Sequence, residues 1–411
     1  MSTINENVLL NDSKKISVIA FLYALFFLLA PMEDLLTGPI GTVAKFLAII
    51  IMVIGLFQCK GKLRLNFKEI PTLSICWLMI LSVLSVIWSI NRDTTMHRLT
   101  AYLLIPGFCV FSNIFKFEKK QYETIVSASI IGGVIASAVA YINGNFLAGR
   151  LILTEANDPN NFAALIFLPA SLAWDRMQNG TKKMKLLYAP VFVLFSFIIL
   201  YTGSRGVLIS LLVMVVVYFL LSGKTKSLRI LLIAALLGFL IWKFIIPILP
   251  SNIASRVLNP SMYSSNASRR TIIWRYLVKD IIPNLPVWGL GAGTVSLELA
   301  NYYGKVNGAH NTYLNMIGEF GVFGIPVFIM MFISYFHKLI KGNRIMSVSL
   351  LAGICVVIFF LDSFAKKFFW NVILLIILQN NTLESPEPSE EIDILTAENN
   401  VLIGKRNDLS E

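Results

Sequence analysis

The chain has 411 residues, enough for two or three soluble domains, yet 56% of them are hydrophobic, only 14% are charged and the mean hydropathy is +0.73. Ordinary soluble domains carry about 25% charged residues, so the apolar excess must face a bilayer and a soluble cytosolic enzyme is all but excluded. The net charge of +12, from 35 Lys and Arg against 23 Asp and Glu, reads as membrane topology rather than nucleic-acid binding, because basic residues collect in cytoplasmic loops.

A membrane-crossing helix needs about 20 mostly apolar residues. In chain order the apolar runs predict twelve spans, at 16–36, 40–58, 70–90, 99–115, 122–142, 161–177, 185–202, 206–222, 228–249, 316–336, 345–361 and 364–380. The first reads as a span rather than a cleaved signal: it starts late, lacks a small-x-small site and is followed by further spans. The expected fold is all-α, a single polytopic membrane domain over 1–380, with one large extracytoplasmic loop at about 250–315. The acidic Pro/Ser-containing tail, 381–411, reads as a disordered cytoplasmic appendage. Cys59, Cys76, Cys109 and Cys355 lie in or beside apolar runs, form no CxxC pair and read as small buried hydrophobes.

With both termini cytoplasmic, the predicted inner loops and the tail hold 21 of the 35 basic residues, among them Lys60, Lys62, Lys119, Lys120, Lys182, Lys183, Lys338 and Lys341. Lys and Arg part company on the other face. The predicted outer side has Arg92, Arg98, Arg150, Arg205, Arg256, Arg269, Arg270 and Arg275, against only Lys243, Lys279, Lys305, Lys366 and Lys367. Lysine suffices as a topology signal, whereas the planar guanidinium grips phosphate through two N–H groups and keeps its charge. An anionic, phosphate-bearing ligand on the outer face is one reading. The other is that these arginines snorkel to headgroups or pair with Asp93, Glu155 and Asp158.

Four outer segments carry the candidate chemistry. Residues 150–164 contain an Asp158-Pro159-Asn160-Asn161 turn that leads into a helix, in itself an ordinary N-cap. Residues 201–206, YTGSRG, form a tight loop whose glycines let backbone approach a ligand while Arg205 reaches an anion. Residues 269–293 put Arg270 and Trp274 four apart, on one helix face, and end in Gly289, Gly291 and Gly293, a flexible GxGxG loop without the βαβ context of a nucleotide site. Residues 309–324 open with His310, whose imidazole suits it to take a proton from a hydroxyl. Glu319 follows along the same predicted span, and an intramembrane carboxylate is a functional candidate by default.

Taken in this order, the segments resemble the O-antigen ligase/polymerase family of bacterial membrane proteins. That family shows an Asn/Asp-Pro-Asn turn before a span, S-R-G, R-x-x-x-W, G-x-G-x-G and H-N-x-Y-L…E-x-G. Here these read Asp158-Pro159-Asn160, Ser204-Arg205-Gly206, Arg270…Trp274, Gly289/Gly291/Gly293 and His310-Asn311-Thr312-Tyr313-Leu314…Glu319-Phe320-Gly321. The resemblance covers about 140–340. Thr312 stands where Ser is commoner and Asn315 where Gln is frequent, and the first four spans carry no distinctive motif.

The resemblance implies a GT-C-like, inverting glycosyltransferase of the inner membrane, with its active site extracytoplasmic. Its donor would be a saccharide on undecaprenyl pyrophosphate. No cofactor, nucleotide sugar or catalytic metal is expected, and the predicted outer face has no DxD-type motif. The implied catalytic residues are His310 as base, oriented by Asn311 or Glu319, with Arg205 and Arg270 on the pyrophosphate. The implied substrate contacts are Arg150, Asn160, Ser204, Trp274, Gly289, Gly291, Gly293, Asn311, Tyr313 and Glu319. The implied partners are the donor, a glycan acceptor, membrane lipids and, in principle, a chain-length regulator. A polymerase of lipid-linked repeat units is the first reading, and an O-antigen ligase acting on lipid A-core is the alternative. A lipid-linked oligosaccharide flippase is more remote, because the charges sit at the outer ends beside one large loop rather than inside the spans.

Overall fold

The structure, a computed structural model, describes residues 17–38, 41–58, 67–155, 158–223, 264–304 and 308–383. The predicted span at 228–249, Arg256 and the acidic tail from 384 onward lie outside them. The chain is mostly helical: α1 (Val18–Leu29, continued as a 3-10 segment Ala30–Leu36), α2 (Val43–Gln58), α3 (Ile70–Trp88), α4 (Arg92–Ser112), α5 (Lys119–Asn143), α6 (Pro159–Asn179), α7 (Lys182–Tyr201), α8 (Arg205–Ser222), α9 (Ser264–Tyr276), α10 (Val295–Tyr303), α11 (Thr312–Lys341), α12 (Ile345–Phe360) and α13 (Lys367–Asn380). Among the described residues three two-residue strand pairs tie loops together, of which β3 (Phe117–Glu118) and β6 (Thr382–Leu383) are parallel.

A helix stands at each of the eleven predicted spans within the described residues. Six are long and apolar enough to cross a bilayer: Val18–Leu36, Ile70–Trp88, Lys119–Asn143, Lys182–Tyr201, Arg205–Ser222 and Thr312–Lys341. The other five predicted spans within the described residues differ from these in two ways. Helices α2, α12 and α13 are apolar but have only 16, 16 and 14 residues. Helices α4 and α6 are longer but carry charged turns. Thus α4 begins at Arg92, two turns before its apolar run, where Asn91 Oδ1 caps it by accepting from Thr94 N–H at 2.9 Å.

Contacts at the helix ends give the bundle two distinct faces. At one face Lys338 of α11 meets Glu69, just before α3, at 2.8 Å, Arg176 of α6 meets Glu123 of α5, and β3 pairs with β6. At the other face Arg150 bonds to the α7–α8 turn, Thr312 to residues 361–363, and buried Lys367 to Glu33 and Thr42. The core runs without a break from Ile19 to Leu378, and a second small cluster, with Ile273, Leu277, Val295 and Leu299, lies under the α9–α10 segment.

Helix α11 is broken in the middle. Gly321 has φ 55° and ψ −140°, a region essentially closed to residues with a Cβ. At the break the helix stops bonding to itself. Gly318 C=O, which would accept from Val322 in a regular helix, accepts instead from Leu290 N–H at 2.9 Å, and Glu319 C=O from Gly291 N–H at 3.0 Å. Val322 N–H donates to Val287 C=O at 3.1 Å. A loop edge therefore replaces one turn of helix ladder. A Cβ at 321 would stand 2.1 Å from Val287 O, whereas one at Gly144, also at positive φ, would meet nothing within 4 Å. Gly321→Ala is expected to cost about 2 kcal/mol or more, Gly144→Ala about 1 kcal/mol. Thermal unfolding of the two purified variants in detergent checks this ordering, and equal midpoints would contradict it.

Candidate active site

The site is built from the start of α11. Its N-cap is Asn311, whose Oδ1 accepts from Leu314 N–H at 3.0 Å. Next to it, Thr312 Oγ1 donates to Leu361 C=O at 2.8 Å and accepts from Ser363 N–H at 2.9 Å, which clamps the turn after α12 onto α11. On the other side, Ala309 C=O accepts from Trp274 Nε1–H at 2.8 Å. His310 lies between these fixed points with φ 49°, a left-handed conformation uncommon outside glycine and held here by the bonds of its neighbours. The sequence expects Trp274 and Asn311 at the substrate. The structure places their hydrogen-bonding atoms on the backbone that frames His310.

The charges around the half-buried imidazole come from distant parts of the chain. Burial first, and then the positive charge of Arg270, lower the His310 pKa below its ordinary value of 6.5, while Asp158 and Asp362 pull it partly back. The ring is therefore neutral at pH 7, with one nitrogen free to accept a proton. Arg270 and Asp158 of the turn lie within electrostatic reach of His310. Asp362 was missed. It is one acidic residue in an apolar stretch with no motif around it, and it is placed only by the Thr312 clamp on both its neighbours.

Asp158 Oδ1 accepts from Asn160 N–H and Nδ2–H at 2.7 and 2.8 Å, so the turn is closed on itself. Arg150, 8% exposed, donates from Nη2 to Asn160 Oδ1 at 2.8 Å and from Nε to Thr202 C=O at 2.7 Å. It is a strut between this turn and the S-R-G loop. Ser204 is buried and its side chain does not cap α8. Arg205, the first residue of α8, is half-buried and has no hydrogen-bond or ion-pair partner among the described residues. Its guanidinium stands at a helix N-terminus, where free amides and the helix dipole favour an anion. The α8 start is brought to the His310 side by α12: a Cβ on Gly206 would stand 2.7 Å from Phe360 Cβ, and Phe359 packs edge-on against Trp274. Tyr313 points inward, its hydroxyl donating to Cys355 C=O at 3.2 Å.

The GxGxG loop is clamped. Gly289, Gly291 and Gly293 all have positive φ, and a Cβ on them would lie 2.5 Å from Glu319 O, 2.8 Å from Ser89 Cβ and 2.4 Å from Arg98 Cγ respectively. The loop between them bonds to α3 and α4 through Ile90 N–H to Leu290 C=O, Ala292 N–H to Ser85 Oγ and Thr95 Oγ1–H to Ala292 C=O. Glu319, 2% exposed, accepts from Tyr102 Oη–H at 2.8 Å and from Gly293 N–H. The expected flexible glycine loop is thus a packed wall, and the Glu319 carboxylate is directed at α4. Among the described residues no three His, Cys, Asp or Glu side chains are grouped to hold a metal ion.

No curated protein matches the chain. The family model described as O-Antigen ligase matches residues 190–329, from the middle of α7 to the middle of α11, a stretch that carries Ser204, Arg205, Arg270, the glycine wall, His310 and Glu319. Over that stretch, 140 of its 411 residues, the chain is similar to the O-antigen ligases.

Proposed function

We propose that the protein is an inverting glycosyltransferase that polymerises saccharide units carried on undecaprenyl pyrophosphate, working at the outer face of the bacterial inner membrane. In this reading the face of the bundle that holds His310 is extracytoplasmic, both termini are cytoplasmic, residues 1–380 form one GT-C-like membrane domain, and 228–249 supplies a further span. The observation that carries the proposal is a half-buried imidazole within electrostatic reach of Arg270, Asp158 and Asp362, at the end of the bundle where α12 packs against both the α8 start, which bears Arg205, and Trp274.

The donor lipid lies among the spans, with its pyrophosphate at the water boundary under Arg205 and Arg270. The acceptor hydroxyl attacks the anomeric carbon. The new C–O bond forms as the bond to the pyrophosphate oxygen breaks, and that oxygen leaves with the electron pair. The proton passes to His310, and the carboxylate of Asp362 stabilises the imidazolium. Arg205 and Arg270 neutralise the charge that grows on the leaving pyrophosphate. One displacement inverts the anomeric centre. Arg150 and Asn160 act by holding the two loops together. Trp274, Asn311 and the three glycines hold the backbone around the base.

A ligase that transfers finished chains to lipid A-core keeps the same donor chemistry, and the family match covers both. The ladder of glycans in a deletion strain separates the two. Single repeat units are expected from the loss of a polymerase, and full-length chains left on the lipid carrier would assign the ligase.

His310→Ala is expected to lower the transfer rate about 10²–10⁴-fold, and wild-type rates would remove His310 from the role of base. The base works unprotonated and its pKa is depressed, so kcat/KM should rise with pH only below about 6.5 and be flat at neutral pH. In Asp362→Asn the loss of a nearby negative charge should move that acid limb to still lower pH and reduce kcat; an unmoved limb would separate Asp362 from the imidazole. Arg205→Lys keeps the charge but loses the fork. A fall of about tenfold is expected, read as initial rate at saturating acceptor, and full activity would contradict two-pronged pyrophosphate binding.

A further inference from the structure

Arg98 is absent from the mechanism above. It lies in the second turn of α4 with its side chain exposed, and it makes no hydrogen bond or ion pair among the described residues. It is nevertheless positioned. A Cβ on Gly293 would stand 2.4 Å from Arg98 Cγ and 3.2 Å from its Cβ, so the last glycine of the wall is the bed on which the arginine stem lies. One turn further along α4, Tyr102 bonds to Glu319.

Two sets of charges meet at this end of the bundle. His310 is within electrostatic reach of Arg270, Asp158 and Asp362. Glu319 and Tyr102 are within reach of Arg98 and, again, of Asp362. Asp362 is the group the two sets share, with Arg270 belonging to one and Arg98 to the other. Arg98 is within electrostatic reach of Glu319 and is paired with no carboxylate among the described residues, which leaves its N–H donors available to an anion from solvent or the membrane surface.

A transfer between two lipid-linked saccharides brings two pyrophosphates to the same membrane face, one leaving and one staying, with the base between the sugars they carry. Building on the polymerase reading, we propose that Arg98 is the second phosphate-binding group, holding the pyrophosphate of the lipid-linked acceptor while Arg205 and Arg270 hold that of the donor. An anionic phospholipid headgroup offers the same chemistry, so the test includes both.

The test titrates the full-length protein, in nanodiscs of phosphatidylcholine, with undecaprenyl pyrophosphate and counts bound lipid by native mass spectrometry. The wild type should bind two molecules. Arg98→Gln and Arg270→Gln should each keep one, with the affected site about 10- to 100-fold weaker. Glutamine retains part of the stem over Gly293, and the surviving site reports that the variant is folded. A wild type that binds one lipid, lost in Arg270→Gln and kept in Arg98→Gln, would overturn the role of Arg98 and leave the transferase reading intact. A wild type that binds none would overturn the reading itself. In a second arm phosphatidylglycerol competes. If it displaces the Arg98-dependent lipid at equal concentration, the site is a headgroup site and the acceptor assignment fails.

Discussion

The break in α11 is the constraint on which the rest of the site depends. Within a bilayer every backbone N–H and C=O must find a partner inside the protein, and irregular backbone is tolerated only where protein covers it. Gly321 interrupts the helix, and the edge of the 287–291 loop takes up the freed groups: Leu290 and Gly291 donate to the carbonyls of Gly318 and Glu319, while Val287 accepts from Val322. Because the same loop bonds to Ser85, Ile90 and Thr95, it fastens α11 to α3 and α4 as well.

The consequence is a rigid upper half of α11, residues 312–320, held on three sides. The glycine wall holds one, the Tyr102–Glu319 bond a second, and the Thr312 clamp on residues 361–363 the third. His310 sits at the cap of this half-helix. Its left-handed backbone, which strains a residue with a side chain, is kept in place because the residues on both sides are fixed. Positioning of this kind is what an acid–base group needs, since proton transfer requires hydrogen-bond distance to the reacting hydroxyl.

Much of this was legible in the sequence, and what was not has physical causes. Apolar runs of about 20 residues mark helices, and a helix was found for each run within the described residues. Arg270, the Asp158 turn and His310 lie far apart in the chain and are grouped in the sequence by their order and residue type; in the fold Arg270 and Asp158 come within electrostatic reach of the imidazole. The role of the glycines was hidden because it depends on contacts with Glu319, Ser89 and Arg98, which no local spacing encodes. Arg150 reads in the sequence as a phosphate ligand, and its bonds to Thr202 and Asn160, which tie two loops together, are encoded in no local spacing. Asp362 had no signal beyond being an acid at the end of an apolar run. The charged first turns of α4 were cut from the predicted span because hydropathy does not register a helix that continues into water.

The central claim is that this constellation performs transfer rather than transport. The most direct measurement uses the purified full-length protein in detergent, with no second compartment, incubated with one undecaprenyl-pyrophosphate-linked saccharide. The expected result is a product of doubled saccharide length with an inverted anomeric centre and free undecaprenyl pyrophosphate released in equal amount. No product in detergent, together with movement of the intact lipid-linked saccharide across the bilayer in sealed vesicles, would contradict it.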